Sequence, residues 1–126
     1  MKKELEDKLT KKFPFYTKYV NPFRFDCDDG WYPLLEELSE KIQKVIEEYK
    51  IETFTVSQIK EKYGSLRYYH FGAIDQIQDI IDEYEIKSET ICERCGNKGS
   101  IKNLDGWYKC VCNDCLNYLL ERNKNI

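Results

Sequence analysis

The 126-residue sequence predicts an α+β fold: helices packed on a β-hairpin, with a small cysteine-bearing unit at the C-terminal end. Three observations predict it. Residues 32–49 repeat apolar side chains at helical spacing, and residues 52–71 change to β-branched and aromatic side chains around a turn. Residues 88–126 then hold five of the six cysteines. The chain therefore divides into an α+β core, 1–87, and a metal-binding finger, 88–126, packed on it.

Residues 2–12 read as a short charged helix with Leu5 and Leu9 four apart on one face. The next stretch, FPFYTKYVNPFRFDCDDG, holds Pro14, Pro22 and six aromatics before an acidic, glycine-terminated turn. It cannot be a long helix, and its aromatics are expected to pack as an ordered loop over the core. From Tyr32 to Tyr49, Leu34, Leu35, Leu38, Ile42, Val45, Ile46 and Tyr49 form one stripe. Glu36, Glu37, Glu40, Lys44 and Glu47 mostly turn away from it. Pro33 fits the first turn, where its missing N–H is harmless, and Asp29 is placed to cap or favour the positive helix end.

In ETFTVSQIKEKYGSLRYYHF, Tyr63-Gly64-Ser65 supplies the turn of a hairpin. On its return strand Leu66, Tyr68 and His70 share one face, with Arg67, Tyr69 and Phe71 on the other. A second amphipathic helix carries Ile74, Ile77, Ile80, Ile81 and Tyr84, and Glu85–Ser88 leads into the cysteines.

Cys92-Glu-Arg-Cys95-Gly96 and Cys112-Asn-Asp-Cys115 are sixteen residues apart, giving C-x2-C-x16-C-x2-C. Four thiolates at roughly 2.3 Å make a closed tetrahedral zinc site, so Cys92, Cys95, Cys112 and Cys115 are the expected ligands of a structural Zn2+. Gly96 lets the first pair wrap the metal. Asn103-Leu-Asp-Gly106 is a turn signal between a strand at 100–102 and another at 107–111. LNYLLERN after Cys115 is helical, so Cys112 and Cys115 stand at i, i+3 in its first turn, where the positive helix end favours thiolates. Knuckle, hairpin and ligand-bearing helix describe a treble-clef-like zinc finger. Cys110, in the preceding strand, reads as a small buried hydrophobe. A rival arrangement pairs Cys110 with Cys112 and leaves Cys115 free, and a third leaves all the cysteines reduced in a core without metal.

Charge and compartment narrow the function. Residues 30–87 carry twelve acidic against seven basic side chains, and the pI is near 5.3. Such a balance argues against a strong non-specific grip on phosphates but leaves room for a local basic patch. No run of about 18 apolar residues is present to span a membrane, and the charged N-terminal stretch lacks a secretory pattern. A cytoplasmic, reducing setting is expected, where clustered cysteines favour metal over disulfides.

Two motifs remain. Asp26-Cys-Asp-Asp-Gly-Trp31 offers Asp26, Asp28, Asp29 and Trp31 to a cation, ligand or partner; the plainer reading is a capped loop with Cys27 buried and Trp31 as its anchor. Lys60, Lys62 and Arg67 with Tyr68 and Tyr69 could meet a phosphate and stack on a base; the plainer reading pairs them with carboxylates on a hairpin surface. His70, the one histidine, reads as structural.

"CDDGWYPLLEEL", "QIKEKYGSLRYY" and "CERCG…GWYKCVCNDC" resemble, in order, a family of small uncharacterised phage and prophage proteins. Its members look like C-G-D-G-W, K-E-K-F-G-x-L-R-F-Y, and C-E-x-C-G followed by W…L-C-x-x-H/C. Asp28 stands where glycine is usual there, Cys115 where histidine is common, and Cys110 where threonine is frequent. The resemblance implies a metal and an origin, not a reaction. The leading expectation is thus a non-enzymatic, zinc-stabilised accessory protein that binds a host protein or small ligand, in the host cytoplasm if phage-encoded. Alternatives are nucleic-acid binding through finger and hairpin, and a nucleotide-acting hydrolase using Asp26, Asp28 and Asp29 with a divalent cation.

Overall fold

A computed structural model describes residues 1–17 and 24–124. It is mixed: four helices, a three-stranded sheet in the order β1-β2-β3, and a two-stranded β4-β5 sheet. Helix α1 (Lys3–Lys12) has too little apolar surface to stand alone. It is held by burial of Leu9 and by Glu6 Oε2, which accepts the Phe25 N–H at 2.7 Å. A single 3-10 turn, Pro14–Tyr16, follows. Phe13, Phe15, Tyr16 and Phe25 of the expected aromatic loop are buried in the main core; Tyr19, Pro22 and Phe23 lie outside the described residues.

Helix α2 (Tyr32–Tyr49) has Pro33 in its first turn and Lys50 in the left-handed region (φ 53) at its end. Leu34, Leu35, Leu38 and Ile42 are buried as the stripe requires, whereas Tyr49 is half-exposed at the helix end. Asp29 caps no part of this helix. Its Oδ1 accepts the Lys2 N–H at 2.7 Å, one of the orphan donors at the start of α1.

Strands β2 (Thr55–Lys62) and β3 (Ser65–Phe71) form the hairpin, turned by Tyr63 (φ 54) and Gly64 (φ 83) alone. Two successive left-handed residues match the strands' own twist. Val56, Ile59, Leu66 and Tyr68 face the core, while the two-residue β1 (Phe25–Asp26) adds in parallel to β2, pairing Asp26 with Lys60. Helix α3 (Asp75–Ser88) closes the free edge of β3: Ser88 Oγ accepts the Leu66 N–H and Glu85 Oε2 the Tyr68 N–H, each at 2.9 Å. Satisfying those donors removes a template for strand addition. Inside, Tyr68 Oη donates to Tyr16 Oη at 2.8 Å. Because Ser39 Oγ donates to the Leu35 carbonyl, Tyr16 must be the donor in its 2.5 Å contact with Ser39.

His70 sits beside Phe54, its Nδ1 buried and unpartnered among the described residues. Burial holds its pKa below the ordinary 6.5, against the opposing pull of Asp82 and Gln78. A depressed base favours the neutral ring, so this stability is present above pH 6.5 and is lost as pH falls through the lower folded value. A proton NMR titration is expected to place the ring's midpoint under 6.5; a midpoint at or above it would contradict this packing.

In the C-terminal part, β4 (Ser100–Leu104) and β5 (Trp107–Val111) turn through Asp105 (φ 54) and Gly106 (φ 88), the device used at Tyr63-Gly64. Helix α4 spans Asn113–Lys124.

Candidate metal centre

The structure brings together Cys92, Cys95, Cys112 and Cys115, whose sulfur atoms all lie within 4.8 Å of one another. A tetrahedral centre with metal–sulfur bonds near 2.3 Å has sulfur–sulfur edges of about 3.8 Å. Cys95 and Cys112, 3.6 Å apart, already meet that spacing. Such a donor set can hold a metal, and all four thiols are free of disulfides.

Local structure explains why these sulfurs converge. The knuckle closes on a Gly96 N–H to Cys92 C=O bond of 2.9 Å, with Gly96 at φ +84. Cys112 immediately precedes α4, and its sulfur accepts the Cys115 N–H at 3.4 Å. The first helical turn thus aims orphan N–H groups at a thiolate. Burial alone would raise Cys92, but the N–H groups of Cys112, Cys95 and Arg94 outweigh it and bring the thiol down to about 7. Cys115 is pushed up to about 12, by burial and then by neighbouring thiols, despite a 3.6 Å bond from Arg94. One thiolate forms readily and opposes the next; a central cation removes that opposition. The Arg94 guanidinium, stacked 3.8 Å from the centre of the Tyr118 ring, adds a fixed positive charge beside the sulfurs.

Cys110 is fully buried in the main core and donates to the Ile91 carbonyl at 3.2 Å. Burial pushes its thiol to about 11 and that of Cys27 to about 12, so neither is a ready nucleophile or ligand.

The acidic loop meets this finger through Asp28 and Trp31, and meets the basic hairpin where Asp26 pairs with Lys60. Trp31 is wholly buried, and its Nε1 donates to the Ile91 carbonyl at 2.9 Å; it is a core anchor that offers no surface. Glu93, inside the CxxC, is 2% exposed. Its Oε2 accepts the Asp28 N–H at 2.9 Å and its Oε1 the Lys109 ammonium at 2.8 Å. Lys109 also reaches Asp28 at 3.2 Å. Burial raises Glu93 above its ordinary value, with Lys109 pulling the other way, while Lys109 is raised because Glu93 and Asp28 overcome its own burial. Three separate motifs are clamped by this network.

Gly30 makes the approach possible. A Cβ there would stand 2.4 Å from the carbonyl oxygens of both Cys92 and Glu93. Gly30→Ala is expected to destabilise the protein by about 3 kcal/mol in denaturant titration, because backbone cannot step aside. A loss under about 1 kcal/mol would show that loop and finger are less tightly apposed.

Asp28, Asp29, Arg94, Trp107, Lys109 and Arg122 line a cleft of about 840 Å³. Lys60, Lys62, Arg67 and Tyr69 take no part in it and lie on the outer hairpin face, with Asp26 beside Lys60 at the β1 edge. Tyr68, by contrast, is buried. Among the described residues, Asp26, Asp28 and Asp29 do not converge as a cation-holding group, and no helix is long and apolar enough to cross a membrane. No family model matches the chain, and neither a curated protein nor a solved structure shows similarity to it.

Proposed function

We propose that this chain is a small zinc-stabilised accessory protein of phage type that acts by binding rather than by chemistry. The four-thiol cluster is the observation that carries the reading. Four sulfur ligands suit zinc or an iron–sulfur centre, and a single tetrahedral ion fits the sulfur spacing. Filled by four thiolates, such an ion has no position left for water or substrate. The β4-β5 hairpin and the ligand-bearing start of α4 support a treble-clef-like finger in 88–126, docked on 1–87. The order of the three motifs supports the phage origin, and with it a place in the host cytoplasm. The hydrolase alternative loses support from the acidic loop, because Asp28 is engaged by Lys109 and Asp29 by the Lys2 amide. For a host protein or small ligand, the cleft between loop and finger is the candidate surface.

Elemental analysis of purified protein is expected to return one zinc per chain, without iron. Absence of stoichiometric zinc, or iron in its place, would defeat the zinc reading. Pull-downs from host lysate, native mass spectrometry with small ligands, and nucleic-acid titrations test the binding role; consistent failure of all three would remove it.

A further inference from the structure

We propose that the solvent face of the β2–β3 hairpin binds single-stranded nucleic acid, with Tyr69 and Phe71 as stacking platforms and Lys60, Lys62 and Arg67 as phosphate contacts. The inference deepens the reading as a binding protein and rests on it.

Register defines the face. The pairs Thr55–Phe71, Gln58–Tyr69 and Lys60–Arg67, with Lys62 beside the turn, lie opposite the core-facing Val56, Ile59, Leu66 and Tyr68. None of those seven hairpin residues is acidic, although the chain carries 23 Asp and Glu against 20 Lys and Arg. Two acids lie beside them: Asp26 of β1 pairs with Lys60 on the same face, and Glu85 of α3 feels the charge of Arg67. Lys60, Lys62 and Arg67 make no ion pair among the described residues, so their charge is not already neutralised by a bound carboxylate.

The rings are as unusual as the charge. Tyr69 is 41% exposed, Phe71 65% and Tyr63, at the turn, 67%, whereas neighbouring Tyr68 is 3% exposed. Folding thus leaves Tyr69 and Phe71 in water on this face, with Tyr63 exposed at the adjoining turn, a pattern that marks interaction surfaces. Tyr69 and Phe71 are two residues apart on a strand, so their rings are spaced by about 7 Å along it. Cations alternate with rings: Lys60 Nζ lies 5.7 Å from the Tyr69 centroid and Lys62 Nζ 5.7 Å from that of Tyr63. Every base has a π face to stack, and each nucleotide brings a phosphate for a neighbouring lysine or arginine. An acidic peptide would use the charge but not the flat rings, and a duplex hides its base faces in the stack.

Fluorescence anisotropy with labelled single-stranded DNA, single-stranded RNA and duplex DNA of about 15 nucleotides tests the proposal. Both single strands, or one of them, should bind more tightly than the duplex; a preference for RNA or DNA would identify the biological source. Three phosphate contacts give a log–log salt slope near −2, or about fifteenfold weaker binding at 200 mM than at 50 mM salt. Tyr69→Ala and Phe71→Ala should each weaken binding at least about fivefold, and Lys60→Gln should flatten the slope by about 0.7. Circular dichroism and zinc content, unchanged in each variant, control for folding. No binding at low salt, equal affinity for duplex, indifference to Tyr69→Ala, or a protein partner that occupies this face without oligonucleotide binding would overturn the proposal. Stoichiometric zinc with no oligonucleotide binding would sink this inference alone; missing zinc would sink the reading beneath it.

Discussion

Cys92→Ser and Cys112→Ser are each expected to abolish binding of the proposed zinc and unfold residues 88–126. Structural zinc contributes roughly 10–16 kcal/mol of apparent free energy in isolated zinc-finger peptides, as large as the whole stability of a domain, about 5–15 kcal/mol. The local core here is slight, with Cys92, Val111 and Cys115 buried and Cys112, Leu116 and Leu119 partly covered. Without the metal those residues have little to hold them. Damage should spread, because the Ile91 carbonyl receives both Trp31 Nε1 and the Cys110 thiol. Loss of the finger therefore exposes the main core, and the whole chain's melting temperature should fall with its zinc content. Cys110→Ser is the matched control and should keep stoichiometric zinc. Zinc retained by Cys112→Ser with an unchanged melt would refute the assignment. Zinc lost from Cys110→Ser but kept by Cys115→Ser would establish the rival ligand set.

What the sequence revealed was set by local chemistry. Helix α2 runs over the residues its Leu and Ile spacing marked, Tyr32–Tyr49. Both hairpins turn at residue–Gly steps, Tyr63-Gly64 and Asp105-Gly106, where left-handed backbone is required. The cysteines were legible because tetrahedral geometry constrains spacing in the chain as well as distance in space. Asp29 was misplaced because a carboxylate near one helix start can equally serve another, and its partner Lys2 is 27 residues away. Strand β1 has two residues and no pattern to detect. The sealing of the β3 edge by Glu85 and Ser88 left no periodic trace either, since both also fit an ordinary helix end. Glu93 was hidden more deeply: it looks like a solvated residue in a knuckle, yet it binds an amide 65 positions earlier.

That buried carboxylate yields the second large effect. Lys109→Met is expected to destabilise the protein by about 3 kcal/mol at pH 7, since it strands Glu93 without its cation. The magnitude has a ceiling. Glu93 can escape by binding a proton, and each pH unit above its unfolded value of 4.5 adds about 1.4 kcal/mol to that escape, or roughly 3.4 kcal/mol at pH 7. The sign of the pH dependence follows. Removing the lysine drives the folded pKa of Glu93 further above its unfolded value, so its share of stability is present below pH 4.5 and is lost as pH rises through the folded value. The variant should therefore lose stability between pH 6 and pH 7.5 beyond any change in the parent, with a limit of about 2 kcal/mol reached where folded Glu93 keeps its proton across that interval. Adding Glu93→Gln should recover much of the loss and erase the extra slope, because a neutral amide still accepts the Asp28 N–H. Denaturant titrations of the parent and the two variants at both pH values measure this. A loss for Lys109→Met below about 1 kcal/mol at each pH would mean that water reaches Glu93 and that the clamp between acidic loop and finger contributes no more than a surface pair.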